Sequence, residues 1–194
     1  MKNDARPTII MGLGNPEPAL ADTYHNIGLR AVHALAEYAT RAGGDDAPLP
    51  PKSYKDLFLS TTIGGRTFVF PLVYMNNSGR AAREALRVFH ATPADLVVVH
   101  DDSDLTIGTF KFVRGGGAAG HNGVRSVIDH LKTEDFFRLR IGIRPANEFR
   151  RKKAGDFVLV PVATKDKKVF GDIFEQIAPL LGFSMHAELN EKPV

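Results

Sequence analysis

Four apolar, strand-like runs that end in loops rich in His, Asn or Asp constrain the fold of this chain more than any other feature. They lie within residues 8–26, 68–79, 96–105 and 109–123, and segments with the apolar spacing of helices alternate with them. Alternating strands and helices predict an α/β fold with helices on both faces of a sheet. In such a sheet the loops at the carboxyl ends of the strands converge on one crevice, so residues from distant segments meet there.

One hairpin interrupts this alternation, so the sheet is expected to be mixed, twisted and mostly parallel. The hairpin is predicted at Gly64-Gly65, where both turn positions can take positive φ. The apolar run at 8–13 predicts a buried central strand. Further strands are predicted at 57–63, 67–71, 96–99, 109–113, 138–143 and 157–160, and helices from about residue 28, at 78–89, around 124–131 and around 169–181.

Length and composition predict a single domain over residues 1–194. The chain is 43% hydrophobic and 24% charged, as expected of a globular protein with a sizeable core. It contains no cysteine, which excludes disulfides and thiolate zinc sites and suits a reducing compartment. Because no apolar run is long enough for a signal-sequence core or a membrane span, we expect a cytoplasmic protein with no membrane partner. A monomer is the default expectation.

The net charge of +3 permits a nucleic-acid partner without requiring one. Basic residues cluster at Arg150–Lys153, close to Arg144, and three arginines recur at helical spacing at positions 80, 83 and 87. These clusters are either a surface that binds a polyanion or an ordinary solvated surface.

Two titratable residues at predicted strand or helix ends could carry hydrolytic chemistry. His25 precedes a helix, and an imidazole can take a proton from water and later return it. Asp101 follows an apolar strand, where a carboxylate could fix the tautomer of that imidazole. The structural alternatives are a surface histidine and a turn or helix-capping cluster at residues 100–104.

Neutral amides complete the set of strand-end residues. Asn15, Asn76 and Asn122 could orient water or hold a peptide backbone, and the latter two could equally cap helices. Two glycine-rich turns, at residues 12–15 and 115–120, lack the full fingerprints of dinucleotide-binding and P-loop sites. His100 and His121 lack a recognised ligand spacing, so no metal is expected.

Taken together, the motifs resemble those of bacterial-type peptidyl-tRNA hydrolases. The matching segments run in family order along most of the chain, and they read GLGNP, His25-Asn26, YMNNSGRA, HDDSDL with GTFKF, GGGAAGHNG and FFRLRIGIRP. The resemblance implies hydrolysis of the ester between a peptide and the 3′ end of tRNA, which recycles peptidyl-tRNA released from stalled translation. It implies no cofactor and no metal.

The resemblance also implies roles for individual residues. His25 is the implied catalytic base and Asp101 its hydrogen-bonding partner. The implied substrate-binding residues are Asn15, Tyr24, Met75, Asn76 and Asn122. The implied tRNA-binding residues are Lys111, Arg114 and Arg140. Arg114 is included because it follows Val113, which stands where a basic residue is usual in the family.

Other departures from the family pattern are smaller. Glu17 stands where glycine is usual, Tyr24 where arginine is usual, and Ala118 and Ala119 replace residues of a glycine-rich segment. The alternative reading is an RNA-binding module of the same fold without turnover, such as an intron-splicing cofactor. The presence of His25, Asp101 and the three matching asparagines favours the enzyme.

Overall fold

The computed structural model describes residues 8–42, 50–145 and 158–183. This part of the chain forms seven strands and four α-helices, joined in places by short 3₁₀ turns. In chain order they are β1 (Ile9–Gly12), α1 (Ile27–Ala42), β2 (Lys52–Tyr54), β3 (Phe58–Ile63), β4 (Arg66–Pro71), α2 (Ser78–Val88), β5 (Leu96–Thr106), β6 (Phe110–Arg114), α3 (Asn122–Leu131), β7 (Phe137–Arg144) and α4 (Thr164–Ile177). The predicted basic cluster at Arg150–Lys153 lies outside the described residues.

All seven strands form one sheet in the order β2-β3-β4-β1-β5-β7-β6. The four central strands β4, β1, β5 and β7 run parallel to one another. Antiparallel pairing occurs between β2 and β3, β3 and β4, and β6 and β7. The prediction of a mixed sheet is confirmed, and the parallel pairing lies at its centre. β1 is the buried central strand that its continuous apolar run indicated.

Two apolar layers hold the helices against the sheet. Alternate strand residues such as Ile10 and Val99 pack against α1 and α4 on one face. Their neighbours, such as Met11 and Val98, pack against α2 and α3 on the other. The expected arrangement of helices on both faces is therefore confirmed. Within the described residues no helix is both long and apolar enough to cross a membrane.

The predicted hairpin between β3 and β4 is confirmed. Gly64 and Gly65 have φ values of +56° and +74°, and Ile63 pairs with Arg66 across the turn. Positive φ at both central positions is what a two-residue turn needs to match the twist of its strands.

Three strand predictions differ clearly from the structure. β2 went unpredicted because its residues, Lys-Ser-Tyr, show no apolar alternation on this exposed edge. The strand predicted at 157–160 is wrong, since residues 158–160 form a turn and a bend and only an isolated bridge joins Thr23 to Pro161. β5 continues past the predicted end at 99 to Thr106, because its polar second half still pairs with β7.

A close approach between α1 and β5 brings the start of α1 to the end of the central strands. A Cβ placed on Gly28 would lie 2.3 Å from the carbonyl oxygen of Val99 and 2.8 Å from the Cα of His100. Only glycine therefore allows the helix to pack this closely on the strand. The approach sets the turn before α1, which carries His25, beside the end of β5.

We predict that Gly28→Ala lowers the free energy of unfolding by about 1–3 kcal/mol, because the added methyl group forces α1 away from β5. Urea denaturation measures the change. The matched control is Gly171→Ala in α4, where an added Cβ meets nothing within 4 Å. That substitution should leave stability unchanged or raise it by up to about 1 kcal/mol, because alanine is the better helix former. Equal effects at the two positions would contradict the close-packing argument.

Candidate active site

His25 and Asp101 form a hydrogen-bonded pair at the carboxyl end of the central strands. His25 lies in the 3₁₀ turn Tyr24–Asn26 before α1, and Asp101 lies in β5. The Nδ1 atom of His25 is 2.9 Å from Oδ1 of Asp101, and the two side chains are 14% and 4% exposed. Because a carboxylate only accepts, Nδ1 is the donor, and Nε2 is left with the lone pair that can take a proton.

His121 is a second imidazole bonded to the same carboxylate oxygen. Its Nε2 atom lies 2.9 Å from Oδ1 of Asp101. Its Nδ1 atom accepts from the backbone N–H groups of Gly123 and Val124, at 3.1 and 3.3 Å, in the first turn of α3. These contacts fix the tautomer with the proton on Nε2. Sequence reasoning placed His121 at the end of a strand but assigned it no catalytic role.

The two imidazoles keep Asp101 ionised. Burial alone would raise the pKa of this carboxyl, but the charges and hydrogen bonds of His121 and His25 outweigh burial. The net result is a pKa below the ordinary range for aspartate. Asp101 therefore remains a carboxylate throughout the neutral range and can stabilise a positive charge that forms on His25.

The same three side chains could also act as ligands for a divalent cation. One ligand atom each from His25, Asp101 and His121 lies within 4.8 Å of the others. In this structure, however, the two imidazoles direct an N–H group at the carboxylate, and a cation would have to replace both protons. The arrangement fits a proton-transfer site, and the absence of a metal remains a prediction.

His100 is a buried, neutral support for this cluster. Its Nδ1 donates to the backbone carbonyl of Asp101 at 2.7 Å, and its ring lies edge-on to His121 with centroids 4.8 Å apart. Among the described residues, Nε2 of His100 is buried with no hydrogen-bond partner. Burial, reinforced by the charge of His121, lowers the pKa of His100 to about 3. The ring is therefore uncharged at neutral pH.

Asn15 is held rigidly at the edge of the site. Its Oδ1 accepts from the backbone N–H of Met75 at 2.9 Å. Its backbone is fixed by Asn26, whose side chain exchanges two hydrogen bonds of 2.9 Å with the Asn15 N–H and carbonyl. Because Oδ1 is occupied, the orientation of the Asn15 amide is set and Nδ2 is the donor that can serve a substrate.

Two adjoining crevices open at these residues. The first, the amide crevice, is lined by Asn15, His25, Tyr74, Met75, Asn76, Asn77 and Asn122. The second, the arginine crevice, includes His25, Asp101, His121, Asn122, Arg138 and Arg140 in its lining. His25 and Asn122 line both, so they lie at the junction. The structure thus brings together all three predicted asparagines, Met75 and the predicted catalytic pair.

Tyr24 does not join them. It lines neither crevice, is 7% exposed, and its hydroxyl donates to Oδ2 of Asp166 at 2.6 Å. The substrate-binding role that the resemblance implies for Tyr24 therefore finds no support in this geometry. Successive side chains of a 3₁₀ turn are about 120° apart, so Tyr24 and His25 face different surroundings.

The basic residues near the site divide between the two faces of β6 and β7. Lys111 pairs with Arg140, and Arg114 pairs with Phe137, across these antiparallel strands. Successive strand residues alternate in direction, so Lys111 and Arg140 share one face and Arg114 lies on the other. Arg114 forms two hydrogen bonds with Asp135, at 2.6 and 3.0 Å. Arg114 therefore does not share a face with Arg140, and its role in tRNA binding stays a prediction.

Fold and site together define a class of protein: an α/β enzyme with a histidine–carboxylate pair at the end of a parallel sheet. A family model described as peptidyl-tRNA hydrolase matches residues 9–193. The chain is 38% identical to the peptidyl-tRNA hydrolase of Mycolicibacterium gilvum, over 90% of this chain and 88% of that protein. It is 41% identical to that of Nocardia farcinica, over 89% and 86% respectively.

Solved structures agree with these relatives. The crystal structure of peptidyl-tRNA hydrolase from Acinetobacter baumannii matches with a TM-score of 0.76 and 27% identity, covering 93% of this chain and 89% of that one. A crystal structure of a peptidyl-tRNA hydrolase with N-propanol also gives a TM-score of 0.76, at 28% identity, covering 90% and 86%. The chain belongs to the peptidyl-tRNA hydrolase family and is an enzyme of this kind, as the motifs predicted.

We predict that His100 makes stability fall as the pH drops from about 6.5, the ordinary pKa of histidine. The unfolded chain takes up a proton there, whereas the folded His100 does not until about pH 3. Its contribution to the free energy of unfolding is therefore complete above about pH 6.5 and is lost progressively as the pH falls from there to about 3. By pH 5 the loss is about 2 kcal/mol. Denaturant titrations at pH 7 and pH 5 measure this loss. Asp101, whose folded pKa is lowered, keeps its full contribution to stability above about pH 4 and loses it only below that pH, outside the range compared here.

The comparison variant is His100→Asn, which keeps a donor for the Asp101 carbonyl but does not titrate. It should be less stable at pH 7 and should lose less stability than the wild type between pH 7 and pH 5. An identical loss in the two proteins would show that His100 is not the group responsible.

Proposed function

We propose that this chain hydrolyses the ester between a peptide and the 3′ end of tRNA, with His25 as the general base and Asp101 as its orienting partner. One observation carries the proposal: the Nδ1–H of His25 is bonded to a buried carboxylate at the junction of two crevices of different chemistry. An ester that joins a peptide to a polyanion needs a water-activating group at such a junction. We place the reaction in the cytoplasm and propose that the protein acts as a monomer.

The proposed reaction has two proton transfers. Nε2 of His25 takes a proton from water as the oxygen attacks the ester carbon, and Asp101 stabilises the resulting imidazolium. The carbonyl oxygen becomes negative, and the side-chain N–H groups of Asn15 and Asn122 are the proposed donors to it. When the ester C–O bond breaks, the 3′ oxygen of the tRNA leaves and receives the proton from His25. The products are a tRNA with a free 3′ hydroxyl and a peptide carboxylic acid, which then loses its proton to solvent at neutral pH.

The amide crevice is proposed to hold the peptide. Its described lining comprises four asparagines, Met75 and two titratable residues, Tyr74 and His25. An asparagine side chain both donates and accepts, so it can bond a peptide group whatever the neighbouring side chain is. A free aminoacyl-tRNA lacks that peptide group and carries a charged amine instead. Preference for peptidyl over aminoacyl substrates follows from this difference.

The opposite side of the junction is proposed to face the tRNA. Arg140, held by a 2.5 Å bond from Nε to Oδ2 of Asp102, shares its face of the sheet with the exposed Lys111. Cations at fixed positions on one face can contact phosphates. Arg138, in contrast, is only 5% exposed and donates to the carbonyls of Gly115 and Gly117, which holds the glycine-rich segment in place.

We predict that His25→Ala reduces turnover about 10²- to 10⁴-fold, the usual contribution of a general base, and leaves tRNA affinity nearly unchanged. The assay follows release of free tRNA from an N-acetylated aminoacyl-tRNA, with binding measured separately. His90→Asn is the control, because His90 is exposed and lines neither crevice. Turnover that survives in His25→Ala would remove His25 from its proposed role. Binding without turnover by the wild type would favour the non-catalytic RNA-binding alternative.

We predict that Lys111→Gln weakens tRNA binding and lowers the slope of log K against log salt by about 1, as expected for one lost phosphate contact. Arg114→Gln is the matched control, since it removes a cation of the same strand from the opposite face. It should leave affinity and salt dependence near wild type. Titrations at several salt concentrations test both variants, and equal losses would show that the tRNA does not discriminate between the two faces.

A further inference from the structure

We propose that Tyr24 and Asp166 are positioning residues, which hold the turn that carries His25 against the start of α4. The proposal rests on the proposed role of His25 as base. Tyr24 immediately precedes His25 in the turn, and Asp166 lies in the first turn of α4. Their side chains are buried and joined by a 2.6 Å hydrogen bond from the phenol to Oδ2 of the carboxylate.

Both the hydroxyl group and the ring of Tyr24 have further partners at the start of α4. Its oxygen also accepts from the backbone N–H of Ala163 at 3.3 Å, directly before α4. Its ring packs edge-on against Phe170, one turn further along α4, with centroids 6.2 Å apart. Burial, together with the bond to Asp166, raises the pKa of Tyr24 above its ordinary value. The hydroxyl therefore stays protonated and remains the donor in the pair.

The backbone of the same turn is bonded to the segment that leads into α4. The N–H of His25 donates to the carbonyl of Val158 at 2.8 Å, and that of Tyr24 donates to Val160 at 3.2 Å. Thr23 forms an isolated antiparallel bridge with Pro161. Residues 158–162 thus run alongside the catalytic turn, and Val158 also lines the arginine crevice. The position of His25 depends on this segment as well as on the sheet.

The buried pair is the contact best able to fix this segment to the turn. A phenol bonded to a carboxylate is a charge-assisted hydrogen bond, stronger than a neutral one, especially where water is excluded. Asp22 also bonds Lys167 across the same junction, at 2.5 Å, but both side chains are exposed and such pairs contribute little. General-base catalysis is sensitive to displacements of about 1 Å, which can cost about 10²-fold in rate.

The test is Tyr24→Phe, which keeps the ring and removes the donor. We expect kcat to fall about three- to tenfold, which is a fraction of the loss that a 1 Å misplacement can cause. KM should be unchanged, because the base is displaced while both crevices remain. The Nδ1–H proton of His25, followed by NMR in the free protein, should exchange with water faster than in the wild type. Asp166→Asn keeps an oxygen that can accept from the phenol, so it should retain more of the wild-type kcat than Tyr24→Phe.

Phe170→Leu is the control for general loss of stability, because it removes ring packing on Tyr24 and keeps the hydrogen bond. It should lower the unfolding midpoint without changing kcat or the His25 proton at temperatures far below that midpoint. The proposal is overturned if Tyr24→Phe has wild-type kcat and proton exchange, or if Phe170→Leu of equal stability reproduces its losses. The NMR signal reports the position of His25 whether or not His25 is the base. A His25→Ala variant with normal turnover would contradict the proposed function, whereas an unchanged proton signal in Tyr24→Phe would contradict this inference.

Discussion

The active site depends on one buried carboxylate oxygen that accepts from two imidazoles. Oδ1 of Asp101 lies 2.9 Å from a nitrogen of His25 and 2.9 Å from a nitrogen of His121. An isolated charge at this depth would cost several kcal/mol, so the carboxylate requires N–H donors on both sides. That requirement fixes where each ring carries its proton. It leaves a lone pair on Nε2 of His25, and it makes His121 part of the support for the charge of the carboxylate.

The architecture of the sheet explains how three distant segments reach this oxygen. β5 lies between β1 and β7, and its pairing with β1 stops at Val99, so Asp101 lies just past the end of β1 at the centre of the parallel strands. α1 packs on one face of the sheet and α3 on the other, and the residues that precede them contact Asp101. His25 and His121 therefore arrive from opposite faces with their ring centroids 5.0 Å apart. Parallel central strands with helices on both faces are a precondition for this convergence.

Sequence reasoning succeeded where a local pattern decides the structure. The glycine pair of the hairpin and the apolar run of β1 both follow from such patterns, whereas Asp101, expected just after a strand, lies within β5. Sequence reasoning failed where the local structure depends on which strands pair and in which register. The apolar stretch at 157–160 resembles a strand, yet the part of it that the structure describes forms a turn. Lys111 and Arg114 are equally basic, and only the register of β6 against β7 shows which of them shares a face with Arg140. The contacts of Tyr24 with α4 also could not be read from the sequence, because they join residues 142 or more positions apart.

In the proposed function, the two crevices divide the recognition of a composite substrate by charge. The amide crevice offers neutral side chains, which can bond a peptide backbone of any sequence without attracting phosphates. The arginine crevice carries the cations, yet Asp102 holds Arg140 and backbone carbonyls hold Arg138, so their positions are set before a ligand arrives. Reversing the substrate would place phosphates among uncharged amides and a peptide against fixed cations, and both placements would be unfavourable. On this proposal, the charge division orients the ester in one direction across His25 and Asn122, the two described residues that line both crevices.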